Sequence, residues 1–411
     1  MIGFATQLLG NPGRCLRVAL TAVCVVLAGS AFVVAPASAS HFRYGHVTWS
    51  PVVGGAPGTV AFTVTGAFRN GYGVGAVGQY FTETIGATTL NFGDGGSTSD
   101  TDWHVIGFQN GTTVVIAQLD PGQTGSNRVL HTYVQPGIYS AGINSCCRIS
   151  TEINNPDGQY SVLTNVNPSF GPAGNASPVS GMPPIIDMCK NFTNTVLVPA
   201  GDPNGDVLHF RLANAAEAAG GFPFNQPGPP QAPNPLSIDP NTGLITWNTT
   251  GATIAGAPPT LYACQVIVDD GQTQVGVDFL INLVDGCQQN NNPPHFDRPP
   301  TPADGQVLTA CPLLGQKFSF TVQASDPDAA DIVTITDSGL PPGATLTCNP
   351  PGNPTSCTFN WTPTIAQVGS YVVNFQASDG TTAVLTSVNL KVDCATPAQR
   401  VSWGHLKSIY R

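Results

Sequence analysis

An internal repeat is the feature of this chain that most restricts its fold. The segment from Asp202 to Cys287 contains DPNGD, LSIDPNTGLITW and YACQVIVDDG, in that order. The segment from Asp326 to Cys394 contains DPDAAD, CTFNW and YVVNFQASDG, and it also ends on an apolar alternation and a cysteine. A unit that recurs at domain length must bury its own core. The short alternating apolar runs between turn residues predict a β-sandwich in each unit.

The length of the chain extends this prediction to more than one domain. A chain of 411 residues with 46 Gly and 37 Pro is too long for a single core of short strands. The regular Gly and Pro punctuation favours turn-rich structure over long helices. We therefore predict an all-β fold of three tandem Ig-like or cadherin-like β-sandwich domains. They occupy residues 40–175, 176–287 and 288–394, and a basic C-terminal tail follows at 395–411.

The first 39 residues have the pattern of a signal peptide. Arg14 and Arg17 precede an apolar run over residues 18–35, and the small residues Ala37-Ser38-Ala39 follow it. A run of this length could also remain as a membrane anchor, but the small-residue site favours cleavage. We expect a mature chain without a membrane span, either secreted or on the cell surface.

Charge and motif content narrow the function. Beyond residue 39 the chain has 12 basic and 24 acidic residues, a formal net charge of −12, which argues against a nucleic-acid partner. The sequence contains no HExxH, no GxSxG and no phosphate-binding loop. We predict a protein that is not an enzyme and that binds an extracellular protein or a glycan.

The cysteines predict disulfides, because export makes them the default state. Cys189 and Cys287 flank the first repeat, and Cys311 and Cys394 flank the second. If the first and last strands of a sandwich lie side by side, each pair can join its two ends, so we predict Cys189–Cys287 and Cys311–Cys394. A further local pair, Cys348–Cys357, would close a longer loop.

Three cysteines are left over. Bonding between sequence neighbours is strained, so we expect Cys146 or Cys147 to reach Cys264 or another strand of its own region. Because nine cysteines lie beyond the signal segment, at least one is left over or pairs between chains.

Two motifs in the first region point to a known module. FGDG at residues 92–95 and HTYVQPGIY at 131–139 together resemble the polycystic-kidney-disease-type (PKD) Ig-like module of exported and surface proteins. The start of the mature chain, HFRYGHVTW, is similar to a group of secreted proteins that open on SHFRxGxxxW. The resemblance implies an arrangement of modules and no catalytic activity.

The two repeats resemble the putative-Ig and dystroglycan-type cadherin-like modules of bacterial surface proteins. The residues that carry the resemblance are DPD at 326–328, LPPGA at 340–344, WTPT at 361–364 and ASDG at 377–380, with matching motifs in the earlier unit. Cadherin-like modules gather carboxylates from strand ends and linkers around Ca²⁺, a hard cation that takes six to eight oxygen ligands.

The acidic motifs of the repeats are therefore candidate calcium ligands. The other interpretation is turn chemistry alone, in which Asp oxygens accept hydrogen bonds from nearby backbone N–H groups. Ca²⁺ is the only cofactor that the sequence suggests. The candidate ligands are Asp202, Asp206, Asp269 and Asp270 in the first unit, and Asp326, Asp328, Asp331 and Asp379 in the second.

Aromatic residues carry the main alternative function, that of a carbohydrate-binding accessory protein in an exported polysaccharide-processing system. Trp49, Tyr72, Tyr80 and Trp103 lie in or near Gly-rich connections, where exposed rings could stack on sugars. Trp247 and Trp361, by contrast, hold the same strand position in the two repeats and are predicted core residues.

Overall fold

The computed structural model describes most of the chain beyond the predicted signal peptide. The predicted signal peptide at residues 1–39, the tail at 395–411 and Cys394 lie outside the described residues. Those described are 42–52, 54–82, 89–98, 102–168, 174–285, 287, 291–303, 306–337, 340–341, 343–367 and 369–393.

The first region is built from antiparallel strands around an aromatic core. Phe62, Phe68 and Trp103 are fully buried in it, because alternate residues of each strand point inward. The strands are β1 (Phe42–Pro51), β2 (Thr59–Arg69), β3 (Tyr80–Thr82), β4 (Asp102–Gln109), β5 (Val114–Leu119), β6 (Val129–Thr132), β7 (Tyr139–Cys146) and β8 (Gln159–Val166).

The second region adds nine strands and one short helix. The helix α1 (Ala215–Ala219) begins with a capping box, in which Asn214 and Glu217 each accept a hydrogen bond from the other's backbone N–H. The strands are β9 (Val179–Ser180), β10 (Ile185–Cys189), β11 (Thr193–Leu197), β12 (Ala200–Gly201), β13 (His209–Leu212), β14 (Ser237–Ile238), β15 (Leu244–Asn248), β16 (Leu261–Asp269) and β17 (Gln274–Val284).

The third region is a sandwich of two four-stranded sheets. Short 3₁₀ turns lie at Pro312–Leu314 and Ile365–Gln367. The strands are β18 (His295–Phe296), β19 (Val307–Ala310), β20 (Phe318–Ser325), β21 (Thr334–Asp337), β22 (Thr345–Cys348), β23 (Thr355–Trp361), β24 (Gly369–Ser378) and β25 (Ala383–Val392).

The sequence repeat is also a repeat of strand order. In the second region β13, β16, β17 and β10 are successive neighbours, and β21, β24, β25 and β19 are neighbours in the same way in the third. The facing sheets also correspond, as β11-β15-β14 and β20-β23-β22. Trp247 on β15 and Trp361 on β23 are buried at equivalent places. These observations confirm the all-β prediction and the core positions of both tryptophans.

The disulfides follow from this strand order. The first and last strands of the second region, β10 and β17, run parallel and adjacent, so that Cys189 pairs in register with Val284. Cys189 is bonded to Cys287 just beyond, with 5.9 Å between the Cα atoms. Cys348 and Cys357 face each other across β22 and β23 and are also bonded. Both predictions are confirmed, whereas Cys311–Cys394 stays a prediction because Cys394 is not described.

The prediction that Cys146 or Cys147 reaches Cys264 or another strand is wrong, whereas the prediction of a leftover cysteine is confirmed. Cys146 and Cys147 are bonded to each other, and Cys264 is a free thiol. Cys264 lies within β16 and points into the core of the second region, where its side chain is fully buried. Burial raises the pKa of this thiol, so it is held as an unreactive apolar group.

The first and second regions share one sheet. Strand β17 pairs with β1 at Gly45↔Asp278 and His46↔Val277, and with β8 at Val275↔Thr164. Strands from both sides of the predicted domain boundary at residue 175 therefore belong to the same sheet. The three domain ranges remain a prediction.

A buried ion pair lies where the two regions share this sheet. Arg148 and Asp278 are 1% and 0% exposed, and both guanidinium Nη atoms donate to the carboxylate, one of them at 3.0 Å. Arg148 also donates to the carbonyls of Gln159 and Ala218, and Gln265 Nε2 donates to Asp278 at 2.9 Å. These extra hydrogen bonds are needed because two charges removed from water are costly unless their remaining polar atoms are satisfied.

A second buried carboxyl group lies beside the pair. Glu152 is 4% exposed; its Oε1 accepts from the N–H of Ile149, and its Oε2 has no partner among the described residues. Burial raises the pKa of Glu152 to about 8, against the attraction of Arg148 and with a further contribution from Asp278. Glu152 is therefore protonated in the folded protein at neutral pH.

His46 is also buried where the first and second regions meet, and its imidazole is neutral. Its Nε2 accepts the N–H of Ser180 at 3.0 Å, which places the proton on Nδ1, 3.2 Å from the carbonyl of Gly276. Burial lowers the pKa of His46 to about 4, against this backbone hydrogen bond. Its contribution to stability is present above pH 6.5 and is lost as pH falls.

Glycines allow the third region to approach the second. A Cβ placed on Gly181 would overlap the side chain of Asn374 on β24, and one placed on Gly201 would overlap Asn389 on β25. Both asparagines are about 95% buried. The outer face of the last two strands thus lies directly against the backbone of the second region.

We predict that the Arg148–Asp278 pair behaves as one unit. Arg148→Leu should lower the free energy of unfolding by about 3–5 kcal/mol, because Asp278 would be left as an uncompensated buried charge. The double variant Arg148→Leu/Asp278→Leu should recover most of that loss. Urea unfolding of the single and double variants measures both values, and equal losses in the two would contradict the prediction.

We also predict a pH dependence that belongs to Glu152. Because its folded pKa is raised, its contribution to stability is fully present below pH 4.5 and is lost as pH rises towards 8, at up to about 1.4 kcal/mol per pH unit. Glu152→Gln should therefore become increasingly more stable than the wild type across this window. His46 titrates with the opposite sign but is present in both proteins and cancels in the difference. A difference that stays constant from pH 4.5 to 8 would show the assignment to be incorrect.

Candidate metal centres

Three carboxylates of the second region meet at one end of its sandwich. Asp202 and Asp206 come from the turn after β12, and Asp270 follows β16. Each offers one oxygen, and these oxygens all lie within 4.8 Å of one another. Asp202 and Asp270 are buried, with 3% and 6% exposure. We call this group acidic centre 1.

The third region repeats the arrangement. Asp326 follows β20, Asp331 lies in the next turn and Asp379 follows β24. Their carboxylate oxygens satisfy the same 4.8 Å limit, and Asp326 is buried. We call this group acidic centre 2.

Turn chemistry accounts for one oxygen of each leading aspartate. Asp202 Oδ1 accepts the N–H groups of Asn204 at 2.7 Å and Asp206 at 3.1 Å. Asp326 Oδ1 accepts the N–H of Asp328 at 2.7 Å. The Oδ2 atoms of Asp202 and Asp326 are buried and have no partner among the described residues. A buried oxygen without a donor is costly, so turn formation alone leaves half of each carboxylate unexplained.

The trailing aspartates are also equivalent. Asp270 accepts the N–H of Thr273 and the amide of Asn175, the latter at 2.7 Å. Asp379 accepts the N–H of Thr382 and the amide of Asn291, again at 2.7 Å.

Both centres thus include an asparagine from the segment that enters the module. The side-chain oxygen of Asn175 is buried and has no described partner.

Charge repulsion accompanies this geometry. Burial raises the pKa of Asp202 to about 6; hydrogen bonds from Asp206 and Asn204 oppose the shift, and the carboxylates of Asp270 and Asp206 add to it. Burial likewise raises the pKa of Asp326, with further contributions from Asp379 and Asp331. Both centres concentrate negative charge in places with little solvent.

The donor set fits a hard divalent cation. Three carboxylates and an amide oxygen are ligands that Ca²⁺ prefers, and the remaining positions of its six to eight can be filled by backbone carbonyls and water. The unpartnered oxygens are the observation that supports this fit.

In each unit, three of the four predicted ligands lie together in the acidic centre. Asp269 and Asp328 are not brought into the groups: Asp269 accepts the N–H of Gly271, and Asp328 accepts the N–H of Asn292. Asn175 and Asn291 were missed. The available signal was an asparagine two or three residues ahead of the proline that opens each repeat, at Pro178 and Pro293.

The aromatic residues proposed for sugar stacking are not exposed platforms. Trp49 and Trp103 are 2% and 0% exposed. Trp103 points inward from β4 and meets the edge of Phe68 at 5.0 Å. Tyr72 is stacked on Phe81 in the same core. The surface-ring prediction is therefore wrong for the tryptophans, because the strand pleat directs both rings to the core face.

Two family models match parts of the chain. Residues 43–169 match the model described as "Integrin beta-like protein A-E, N-terminal", and residues 306–393 match "Putative Ig domain". The second match agrees with the resemblance drawn from the repeat motifs. In the first region the match is with the integrin beta-like domain and not with a PKD module.

Curated relatives are similar to this chain over most of its length, beyond the ranges that the two family models match. Integrin beta-like protein A of Dictyostelium discoideum is 29% identical over 402 residues, and integrin beta-like protein C of the same organism is 29% identical over 401. These alignments cover 86% and 87% of this chain. The chain spans 19% of the length of each relative. These relatives come from an amoeba, which corrects the bacterial assignment of the resemblance.

Solved structures give weaker matches. An endo-fucoidan hydrolase of glycoside hydrolase family 107 is 14% identical, covering 78% of this chain and 42% of its own, with a TM-score of 0.19. The titin domains Z1Z2 in complex with telethonin are 12% identical, covering 53% and 98%, with a TM-score of 0.19. TM-scores this low support no statement about this chain.

Within the described part of the chain, no helix has the length and apolar character to cross a membrane.

Proposed function

We propose that this chain is a non-enzymatic adhesion protein, secreted or displayed on the cell surface, and that Ca²⁺ at acidic centres 1 and 2 stiffens its Ig-like modules. The Ig-like match, the disulfides and the similarity to integrin beta-like proteins support an extracellular adhesive role. Residues 1–39 serve as the signal peptide, and the modules occupy residues 40–175, 176–287 and 288–394. The partner is an extracellular protein or a glycan.

One observation carries the calcium proposal. Two copies of the same constellation occur at equivalent strand ends, and in each the leading aspartate has a buried Oδ2 that finds no hydrogen-bond donor within the described part of the chain. Repetition of an unsatisfied group at the same place argues against chance, because a buried acceptor normally finds a donor. A bound cation would satisfy the oxygen and neutralise the carboxylates together.

The asparagines give calcium a mechanical role. Asn175 lies just ahead of β9, and Asn291 lies just ahead of β18, so each joins an entering segment to its module through an aspartate of the centre. Cation binding would hold that segment in place. Adhesion benefits because a stiff array presents its loops in a fixed geometry.

The effect of Asp202→Asn on stability should change sign when calcium is added. In chelator, Asp202→Asn should equal or exceed the wild type in stability, because it keeps the Oδ1 acceptor and removes a repelling charge. In calcium at about 100 times the Kd, the wild type should gain about 2.7 kcal/mol per site, and the variant should lose the gain from centre 1. Thermal unfolding under both conditions measures the order of stabilities.

Titration calorimetry supplies the stoichiometry and the control. The wild type should bind two Ca²⁺, Asp202→Asn and Asp326→Asn one each, and the double variant none. Asp269→Asn is the matched control, since Asp269 is next to Asp270 and outside the centre. If the wild type shows neither heat nor a rise in melting temperature at millimolar calcium, the calcium proposal fails and turn chemistry remains.

Adhesion is tested separately. Beads coated with the mature chain should attach to cells of the source organism more than albumin-coated beads do, and attachment should fall for the Asp202→Asn/Asp326→Asn chain. Attachment no greater than that of albumin-coated beads would reject the adhesive role, whatever the outcome of the calcium titration.

A further inference from the structure

A polar cleft lies where the first and second regions meet. Strands β7 and β8 form one wall, and α1, β16 and the start of β17 form the other. Its volume is about 190 Å³, and it opens to solvent beside Ser140 and Ala216, which are both exposed. It shares no residue with either acidic centre.

Gln265 is a rigid part of the cleft wall. It is 0% exposed; its Nε2 donates to the carbonyl of Ser161 at 2.8 Å and to Asp278 at 2.9 Å, which fixes the amide. Its Oε1 has no partner among the described residues and almost no accessible surface, so a ligand in the cleft does not reach it. The polar contacts of a ligand therefore fall to the other residues of the lining.

The charges around the cleft cancel. Glu217 is the charged residue in its lining, and Arg211 donates to both of its carboxylate oxygens, at 2.8 and 2.6 Å. Glu217 also accepts the N–H of Asn214, which holds the carboxylate in place. A neutral ligand therefore suits the cleft better than an ion.

The remaining lining has one polar and one apolar side. Ser140 and Asn165 are direct cross-strand partners on β7 and β8, so their polar side chains lie together on one face. Leu163, Ile267 and Ala216 supply apolar surface. A volume of about 190 Å³ is below the 300–1,000 Å³ of pockets for drug-sized ligands, and it admits a single ring.

We propose that this cleft binds one neutral sugar ring. Ring hydroxyls would exchange hydrogen bonds with Ser140 and Asn165, while the ring's C–H face would contact Ile267 and Leu163. The ring is either a free monosaccharide or a terminal unit of a glycan. This site is distinct from the buried tryptophans and independent of calcium.

The test is saturation-transfer NMR on the mature chain in chelator. The probes are neutral hexoses and N-acetylhexosamines at about 10 mM, together with short glycans that end in them. At least one sugar should give a signal, and Asn165→Ala should weaken its affinity by about tenfold or more, which corresponds to loss of a hydrogen-bonding partner. Signal from the short glycans identifies a terminal-unit site, and signal from the monosaccharide alone identifies a small-molecule site.

A filling variant separates the cleft from the rest of the surface. Ala216→Trp should abolish the signal by occupying the cleft, and Ala257→Trp, an exposed alanine of the same region outside the lining, should preserve it. Unchanged melting temperatures establish that both variants are folded. The proposal is overturned if no probe gives a signal with the wild type, or if Ala216→Trp binds as the wild type does.

Discussion

The carboxylate of Asp278 is the point on which the joined first and second regions depend. It lies on β17, the strand that pairs with β16 on one side and with β1 on the other. It receives both Nη groups of Arg148, which belongs to the first region. Burying the Asp278 charge is costly unless Arg148 pairs with it. The charge is therefore buried favourably only when the first and second regions are correctly packed together. The shared sheet adds backbone hydrogen bonds to the same contact.

The features that could be predicted from the sequence are those that depend on local patterns of residues. Alternating apolar residues, Asp-Pro and Asp-Gly turns and the spacing of Cys189 and Cys287 are features of a single module, so the β-sandwich class and the disulfide could be inferred. Arg148 could not, because its burial depends on Asp278, which lies 130 residues further along the chain. Trp103 illustrates a different limit. A Gly-rich setting does not tell which face of a strand a ring occupies, and that face is decided by packing on Phe68.

The acidic centres show how two interpretations of one motif can both hold. Aspartate has two oxygens, and in Asp202 one of them organises the turn while the other is buried and has no donor among the residues that the structure describes. The sequence leaves turn chemistry and cation binding as alternatives, because a motif does not assign roles to individual oxygen atoms. The turn makes the centre possible, since it fixes the Asp202 carboxylate where one of its oxygens lies within 4.8 Å of oxygens of Asp206 and Asp270.

The parallel pairing of β10 with β17 has a consequence for a chain under tension. A force applied between the segments that flank Cys189 and Cys287 would be carried directly by the bond between them. The 98-residue separation between these cysteines would amount to roughly 330 Å of slack if the module were pulled open. Because the disulfide joins Cys189 to Cys287 directly, this length of chain is not released. A tether built this way stays short even when the fold it contains is disturbed.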